Sequence, residues 1–497
     1  MKKKALIAVS AVLFAVSALV SHAAEPPVYS RYALNLPAHV VNLACEDMDG
    51  DGLKDVVAFT LGTAKKGAPS RGVHIYYQRK DSGFPSAPDQ GFALDPRAAV
   101  FDVGAVSQGA RKSIGFIAPD GVYAYIPNGR TYGTAPVQLV KAESVFAQAD
   151  PLGIPRWSFF AGQAENGAET VLLPGINRIG VYLKGGPSYR LSGSIPVTVH
   201  TELTEGVVEG SEGPLTISHK LPVAVPLGWG GRKGSDLFIT WDDKADVWLQ
   251  RPGGGYIERA ALVFRPGLLD TSKRDSLDSA TVQAVDLDGD GRRDIIVTKM
   301  TGGIAQTKSL VFIYLMRKDG AFPQKPDHTI INEGVVGPRV ADVDGDGRMD
   351  ILLPSVKVGI RNFINMLTTK QIHMDIGVYL QDKNGRYPDR PTKEKGVDFK
   401  LNMDRLGKNT RPVMSIGKFT KTPGYGLAVV SDEDRVSVIL PDRYSIFSDN
   451  PALKLKVDAP TEMEATDLNG DGIDDLVMSY RKDKSGKNRQ VNIFLSR

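Results

Sequence analysis

The chain repeats one nine-residue acidic segment four times, and each copy lies between two short apolar runs. The first copy, DMDGDGLKD, places four carboxylates and two glycines in nine consecutive positions. The copies occupy residues 47–55, 286–294, 342–350 and 467–475. A third apolar run follows each copy, and in the first three it leads into a turn containing glycine and an aromatic-proline pair. The pattern predicts that every copy is the loop of a β-hairpin inside a unit of several short strands.

The same succession of strands and turns recurs without the full set of acids. The degenerate copies lie at residues 100–133, 159–189, 224–256 and 413–444. Counted from the residue that opens each loop, the units start near positions 47, 102, 161, 226, 286, 342, 416 and 467. A step of about 50 to 75 residues suits a four-stranded propeller blade. We therefore predict an all-β fold, a β-propeller of eight blades of four-stranded antiparallel sheets. Seven blades are the alternative, and two smaller β domains are the rival fold.

The last unit ends after its third strand, so its fourth strand must come from elsewhere. Residues 28–37, VYSRYALNLP, precede the first unit and are suited to complete the last blade and close the ring.

Two insertions interrupt the repeats. Residues 192–220 are predicted to form a hairpin or long loop between blades three and four. Residues 357–375 place apolar side chains at helical spacing and predict a helix at the propeller rim.

The N-terminus has the organisation of a secretory signal. Three lysines at positions 2–4 precede an apolar run at 5–20 and small residues at 21–23, which predicts cleavage after Ala23. We expect residues 24–497 to form a single propeller domain in the periplasm, in the cell envelope or outside the cell, with no further transmembrane segment.

The formal net charge of +4 includes the three signal lysines, so the mature chain is near +1 (4 − 3), which argues against nucleic-acid binding. The lone cysteine, Cys45, excludes an internal disulfide and is expected to be a small buried hydrophobic residue.

The acidic segments have the donor chemistry of a calcium site. Carboxylates at positions 1, 3, 5 and 9 of a tight loop, with the carbonyl at position 7, can converge on one hard cation, and calcium takes six to eight oxygens. Glycines at positions 4 and 6 permit the turn. The predicted ligands are Asp47, Asp49, Asp51, Asp55 and the carbonyl of Leu53; Asp286, Asp288, Asp290, Asp294 and the carbonyl of Arg292; Asp342, Asp344, Asp346, Asp350 and the carbonyl of Arg348; and Asp467, Asn469, Asp471, Asp475 and the carbonyl of Ile473.

Other cations and other calcium motifs fit this pattern less well. An EF-hand needs a bidentate glutamate at position 12 and flanking helices, whereas position 12 is occupied here by Ala58, Val297, Leu353 and Met478. Magnesium prefers fewer carboxylates and more water, and zinc lacks its usual histidine and cysteine ligands. Solvated acidic turns without a metal are the remaining alternative. The sequence therefore predicts four Ca²⁺ sites that hold blade hairpins together.

These segments, for example DLDGDGRRDIIV and DVDGDGRMDILL, resemble the FG-GAP/VCBS repeats of integrin-α-type propellers. The resemblance is strong over four repeats and degenerate over four more. It implies a propeller with calcium on the loops of one face and a role in adhesion or protein interaction. The leading Phe-Gly and Gly-Ala-Pro signatures of the family are mostly absent, and its ligand-binding residues lie outside the matched motif. The lysine-rich signal is bacterial in character, so a receptor role does not follow.

Three functions remain open. The first is a calcium-stabilised scaffold that binds a protein partner. The second is a carbohydrate-binding module in which aromatic side chains stack on a glycan, the candidates being Trp229, Trp241, Trp248 and Tyr256. The third is an enzyme such as a polysaccharide lyase or hydrolase. The sequence contains neither H-E-x-x-H nor G-x-S-x-G, and no catalytic residue is assigned, so enzymatic activity is the less favoured interpretation.

Overall fold

The computed structural model describes residues 26–62, 70–107, 109, 111–150, 152–163, 169–186, 188–197, 199–208, 211–229, 235–269, 278–301, 308–333, 337–356, 371–400, 413–442, 446–480 and 487–497. The predicted signal segment, residues 1–23, lies outside these ranges. So do the four apolar residues, at 360, 363, 364 and 367, that predict the rim helix. Residues 371–375, the end of that second insertion, belong to a strand. None of the helices in the described part of the chain is both long and apolar enough to cross a membrane.

The regular secondary structure of the described residues consists of short strands and one 3-10 turn at Lys487–Arg489. The strands in chain order are β1 (Tyr29–Asn35), β2 (His39–Glu46), β3 (Asp55–Leu61), β4 (Arg71–Tyr76), β5 (Gln90–Ala93), β6 (Val100–Gly104), β7 (Ser113–Ala118), β8 (Gly121–Tyr125), β9 (Pro127–Asn128), β10 (Thr131–Tyr132), β11 (Val137–Lys141), β12 (Phe160–Gln163), β13 (Glu169–Pro174), β14 (Arg178–Gly185), β15 (Ser188–Pro196), β16 (His200–Val208), β17 (Ser211–Lys220), β18 (Val223–Leu227), β19 (Asp236–Trp241), β20 (Lys244–Trp248), β21 (Leu262–Phe264), β22 (Ser279–Val285), β23 (Asp294–Thr301), β24 (Lys308–Tyr314), β25 (His328–Glu333), β26 (Arg339–Ala341), β27 (Asp350–Ser355), β28 (Gln371–Tyr379), β29 (Lys393–Lys400), β30 (Met414–Gly417), β31 (Gly426–Asp432), β32 (Arg435–Ile439), β33 (Pro441–Asp442), β34 (Ile446–Phe447), β35 (Leu453–Lys456), β36 (Glu462–Thr466), β37 (Asp475–Ser479) and β38 (Gln490–Ser496).

Eight four-stranded antiparallel sheets follow one another along the chain, and we number them blades 1 to 8. Their strand orders are β2-β3-β4-β5, β6-β7-β8-β11, β12-β13-β14-β15, β18-β19-β20-β21, β22-β23-β24-β25, β26-β27-β28-β29, β30-β31-β32-β35 and β36-β37-β38-β1. The sheets form a ring, which is an eight-bladed β-propeller. The predicted fold is thus confirmed with eight blades, and the seven-blade alternative is wrong.

Apolar side chains fill every junction between neighbouring blades. The middle strands are buried on both faces because each blade is covered by a blade on either side. Phe59 of blade 1, for example, meets Phe101 of blade 2 with ring centroids 3.9 Å apart, and Phe264 of blade 4 meets Tyr314 of blade 5 at 5.0 Å. Continuous clusters join blades 1 and 2, blades 2 to 4, blades 4 and 5, 5 and 6, 6 and 7, 7 and 8, and 8 and 1. This continuity rules out two separate β domains.

The ring is closed by strands from opposite ends of the chain. β1 pairs antiparallel with β38 from Tyr29↔Ser496 to Asn35↔Gln490. Leu34 is fully buried there and joins the cluster between blades 8 and 1. The N-terminal segment therefore supplies the fourth strand of blade 8, as the sequence predicts, and covers an edge that would otherwise be open.

Two-stranded ribbons project from the blades. β16 and β17 pair as a hairpin between blades 3 and 4, which confirms the hairpin predicted within residues 192–220. Shorter ribbons, β9–β10 and β33–β34, follow the third strands of blades 2 and 7.

Cys45 lies half-buried on β2, and burial raises the pKa of its thiol to about 12. It packs against the cluster between blades 8 and 1 as a small hydrophobic residue, but it is less buried than expected.

The closure can be tested with Leu34→Ala. Truncating this buried side chain leaves a cavity between blades 8 and 1 and should lower the free energy of unfolding by about 2–5 kcal/mol. Val28→Ala is the matched control, because Val28 precedes the same strand and is 64% exposed. Urea unfolding followed by circular dichroism provides the measurement. Equal, small effects of the two variants would show that β1 is not part of the stable ring.

Candidate metal centre

The four acidic loops join the first and second strands of blades 1, 5, 6 and 8. Every blade runs in the same direction from its first strand to its fourth, so these loops lie on one face of the ring. We number the residues of each acidic loop 1 to 9. Position 9 is also the first residue of the second strand, namely β3, β23, β27 or β37.

The glycines at positions 4 and 6 adopt backbone angles that other residues rarely tolerate. Their φ values lie between 73° and 89°, in the left-handed region, for Gly50, Gly52, Gly289, Gly291, Gly345, Gly347, Gly470 and Gly472. These angles turn the amide at position 6 toward the first carboxylate in all four loops, and the amide at position 4 in blades 1, 6 and 8. In blade 1, Asp47 Oδ1 accepts from Gly50 N at 2.7 Å and Oδ2 from Gly52 N at 3.0 Å. The predicted role of the two glycines is confirmed.

Positions 3 and 5 continue the same hydrogen-bonding pattern. The side-chain oxygen at position 3 accepts the amide of position 5, and that at position 5 accepts the amide of position 7. In blade 6 these bonds are Asp346 N to Asp344 Oδ1, 3.2 Å, and Arg348 N to Asp346 Oδ1, 2.9 Å. Blade 8 repeats both, with Asn469 at position 3. The loop therefore wraps its backbone around its own acidic side chains.

Three of the loops bring carboxylates close enough to share a cation. One oxygen from each of three aspartates lies within 4.8 Å of the other two in blades 1, 5 and 6; the groups are Asp47, Asp49 and Asp55; Asp286, Asp288 and Asp290; and Asp342, Asp344 and Asp350. In blade 8, where Asn469 replaces an aspartate, the described residues form no such group of three.

The donor set fits a hard divalent cation. All converging side-chain atoms are oxygens, the ligands that calcium takes. In blade 5, Asp286 Oδ1 is also buried without a hydrogen-bond partner in the described structure. Burial, with a smaller contribution from the neighbouring carboxylates, raises the pKa of Asp288 and of Asp344 above the usual range. A cation would relieve this repulsion. The carbonyls at position 7 stay predicted ligands.

The aspartate at position 9 is the most deeply buried carboxylate of each loop. Asp55, Asp294, Asp350 and Asp475 are at most 1% exposed. One oxygen accepts the amide of position 2 at 2.6–2.9 Å, and the other accepts the amide of a residue just beyond, or at the end of, the third strand at 2.6–3.0 Å. Burial raises the pKa of Asp55 to about 7 and those of the other three to about 6. Position 9 thus ties the loop and two strands together whether or not it also contacts a metal.

Position 2 of each loop is an apolar anchor and a link to the next blade. Its side chain, from Met48, Leu287, Val343 or Leu468, is at most 1% exposed. Its carbonyl accepts an amide from the following blade in three cases: Lys54 N to Leu468 O at 2.8 Å, Met349 N to Leu287 O at 3.4 Å, and Lys112 N to Met48 O at 3.2 Å. The loops are therefore connected through the backbone to adjacent blades.

Blade 4 contains a position 9 that the sequence analysis missed. Asp236 is fully buried at the start of β19 and accepts the amides of Trp229 at 3.2 Å and Gln250 at 2.8 Å. Trp229 precedes it by seven residues, as Met48 precedes Asp55. The signal was available, since SDLFIT matches RDIIVT in blade 5 at the aspartate and in the run that follows. Asp236 shows that the carboxylate bridge is retained in a blade whose loop lacks the other acids.

Arginine side chains contact three of the acidic loops, which the sequence analysis also missed. Arg292 and Arg348, at position 7 in blades 5 and 6, pair with Asp290 and Asp346 at position 5 of the same loop. In blade 1, where position 7 is leucine, Arg130 reaches the loop from the β9–β10 ribbon of blade 2. The sequence analysis named Arg292 and Arg348 only for their backbone carbonyls, as predicted metal ligands, and not for their side chains.

The aromatic residues considered for glycan stacking lie mostly in the core. Trp229, Trp248 and Tyr256 are 3–7% exposed, and Trp229 stacks on Phe238 with centroids 5.7 Å apart. Trp241 is half-buried, with the guanidinium of Arg265 4.6 Å above its ring. Three of the four candidates therefore present no free ring face to a sugar.

The fold defines the class of the molecule, and one family match agrees with it. The ring of eight four-stranded sheets makes it a β-propeller, and residues 286–353, from the acidic loop of blade 5 into β27, match the family described as FG-GAP-like repeat. The chain is accordingly a β-propeller in which residues 286–353 match an FG-GAP-like repeat. The expected resemblance is confirmed in this respect. A search of curated proteins finds no match.

Among solved structures, the chain is similar to two propeller-sized chains at low identity. One is BBS1N in a crystal structure of its complex with ARL6DN, soaked with lead, with 10% identity over 95% of this chain and 98% of that chain and a TM-score of 0.36. The other is the V. cholerae biofilm matrix protein Bap1, with 11% identity over 96% of this chain and 89% of that chain and a TM-score of 0.38. At these values neither similarity bears on function.

Asp236→Asn tests the carboxylate bridge without interference from the other loop acids. The amide group of asparagine presents a donor to one of the two backbone amides, so one buried amide loses its acceptor. We expect the free energy of unfolding to fall by about 1–3 kcal/mol, as for Asp55→Asn in metal-stripped protein. Asp449→Asn is the control, since that side chain is 98% exposed. An Asp236→Asn variant as stable as this control would contradict the structural role.

Proposed function

We propose that the protein is an exported, calcium-stabilised propeller that acts as a protein-interaction scaffold in the bacterial cell envelope. The observation that carries this proposal is the placement of four acidic loops in one register on one face. Each loop is fixed by a buried aspartate and a buried apolar residue. Backbone bonds then connect these loops to adjacent blades. The result is a set of firmly anchored loops on one face of the ring, which suits recognition of a folded partner.

Calcium is the cation that the donor set favours. The side chains at positions 1, 3, 5 and 9, with the carbonyl at position 7, are the proposed ligands in each acidic loop. Magnesium holds several waters in a smaller octahedral shell and would use these carboxylates less fully. When bound, calcium would supply positive charge among crowded carboxylates. The loop residues themselves hold the hairpin in shape and anchor it to the blade core.

The envelope location is supported by residues 1–23. Their succession of lysines, apolar residues and small residues is typical of a secretory signal. Calcium is commonly abundant outside the cytoplasm, so a stabilising role for the ion is compatible with this location. Adhesion is one form that the interaction could take, because a rigid calcium-stabilised face can hold a partner under load.

Removal of calcium should destabilise the mature chain. Excess chelator is expected to lower the melting temperature, and calcium, but not equimolar magnesium, should restore it. Saturation at 100 times the dissociation constant contributes about 2.7 kcal/mol per independent site. The control replaces the first ligand of every loop, as Asp47→Asn, Asp286→Asn, Asp342→Asn and Asp467→Asn together. That variant should lose the calcium response. A wild-type melting temperature indifferent to chelator would rule out structural calcium.

The scaffold function is tested by affinity capture from envelope extract, with and without calcium. The mature chain should retain a specific protein in calcium and release it in chelator, because the loop face changes shape when its charges are unbalanced. The fourfold aspartate-to-asparagine variant is the control bait. If the folded propeller retains only glycan, or converts a polysaccharide, the protein scaffold is rejected in favour of a carbohydrate-binding module or an enzyme.

A further inference from the structure

The acidic loop of blade 1 differs from the other three in the source of its cationic partner. Arg130 lies at the tip of the β9–β10 ribbon of blade 2, between Asn128 and Thr131. Its Nε and Nη2 donate to Asp49, and Nη2 is 3.5 Å from Asp51 Oδ2. These carboxylates occupy positions 3 and 5 of the loop. The contact therefore joins two blades through the atoms that are proposed to bind calcium.

Arg130 is held in place from both sides. Its guanidinium lies 5.0 Å from the centroid of the Tyr77 ring, and the Tyr77 hydroxyl donates to the Arg130 carbonyl at 2.7 Å. Stacking on an aromatic ring orients the planar guanidinium and leaves its edge free to bond carboxylates. Its side chain is nevertheless 53% exposed, so it can leave the loop without opening the core.

The base of the ribbon is anchored separately from its tip. Gln90 forms two bonds to Tyr132, donating to its carbonyl at 2.7 Å and accepting its amide at 2.8 Å. The Tyr132 hydroxyl donates to the Lys112 carbonyl at 2.6 Å. Gly129, at the turn, has φ of 65°, and a Cβ at this position would meet no other atom within 4 Å. The base therefore stays attached to blades 1 and 2 by bonds that do not involve Arg130, whereas the tip is held to blade 1 by the contacts of Arg130 with Tyr77, Asp49 and Asp51.

The other acidic loops provide an internal comparison. In blades 5 and 6 the guanidinium comes from position 7 of the same loop, so its movement stays within that loop. In blade 8 position 7 is Ile473, and Asp471 accepts instead from the Ser496 hydroxyl at 3.0 Å. Among the residues that the structure describes, which include all four acidic loops, only the blade 1 loop takes its guanidinium from a neighbouring blade.

We propose that Arg130 is a built-in counter-ion that competes with calcium for Asp49 and Asp51 and makes the ribbon tip respond to occupancy of the blade 1 loop. In the metal-free loop the guanidinium offsets the carboxylates and holds the ribbon against blade 1. In the loaded loop Asp49 and Asp51 turn to the metal, and Arg130 is released together with residues 128–131. This inference rests on the proposed calcium binding and adds its regulation at one loop.

Hydrogen exchange read by mass spectrometry distinguishes this arrangement from simple stabilisation. Calcium should slow amide exchange in residues 47–55, because the loop is held more tightly. It should accelerate exchange in residues 127–132, because the ribbon tip loses its contact. A general gain in stability would slow exchange in both segments, so it would not produce faster exchange in residues 127–132 together with slower exchange in residues 47–55.

Arg130→Gln and a matched variant, Arg97→Gln, give the second measurement. Arg97 stacks on Tyr123 at 4.6 Å and pairs with Asp95 and Asp120, but away from the acidic loops. Exposed ion pairs are worth about 0.2–1 kcal/mol, so Arg130→Gln should tighten calcium binding at one site by up to about fivefold in calorimetry. It should also abolish the calcium-dependent acceleration at the ribbon. Arg97→Gln should leave the calcium affinity of every site unchanged.

Failure of this inference can be separated from failure of the calcium proposal. If wild-type protein binds no calcium in calorimetry, both are overturned. If calcium binds and protects residues 47–55 but also protects residues 127–132, calcium binding stands and the counter-ion role of Arg130 is overturned. The same conclusion follows if Arg130→Gln and Arg97→Gln have equal calcium affinities.

Discussion

A buried carboxylate that accepts two backbone amides is the interaction on which the acidic-loop blades depend. Without it, the loop amide at position 2 and the amide beyond the third strand would both be buried without acceptors, at a cost of about 1–3 kcal/mol each. The aspartate joins the loop to the second and third strands at one end of the blade. Its side chain is short enough to make both bonds from the start of the second strand. Blade 4 retains this bridge through Asp236, so the bridge and the remaining loop acids are separable parts of the motif.

This separation assigns different tasks to residues that a sequence motif presents as one set. Positions 4 and 6 give the turn, position 2 anchors it in the core, and position 9 bonds the blade together. Positions 1 and 3 converge with position 9 in blades 1 and 6 and with position 5 in blade 5, and positions 1, 3 and 5 carry the surplus charge. The negative charge of these carboxylates can be balanced by a metal ion or by an arginine side chain of the same protein. In the structure Arg292, Arg348 and Arg130 balance it in the second way.

The sequence predicts the ring well because a propeller is built from local repeats. Each hairpin is encoded by neighbouring residues, so strand order, blade number and even the closing strand at residues 28–37 could be inferred. Contacts between blades were not predictable in this way. The pairing of Arg130 with Asp49 spans 81 residues and depends on how two blades face each other. The buried state of Trp229 and Trp248 likewise depends on packing between blades, whereas the sequence shows only aromatic residues that could be inside or outside.

The seam between β1 and β38 has a consequence for the order of events in folding. Arg31 Nε donates to Asn492 Oδ1 at 3.0 Å, and these residues are 461 positions apart. β1 is therefore synthesised long before β38, the strand with which it pairs. Contacts of such sequence separation form late and slow the acquisition of the native state. Until then the β38 edge is open to strands of other molecules, so domain-swapped association at this seam is the characteristic misassembly of such a ring.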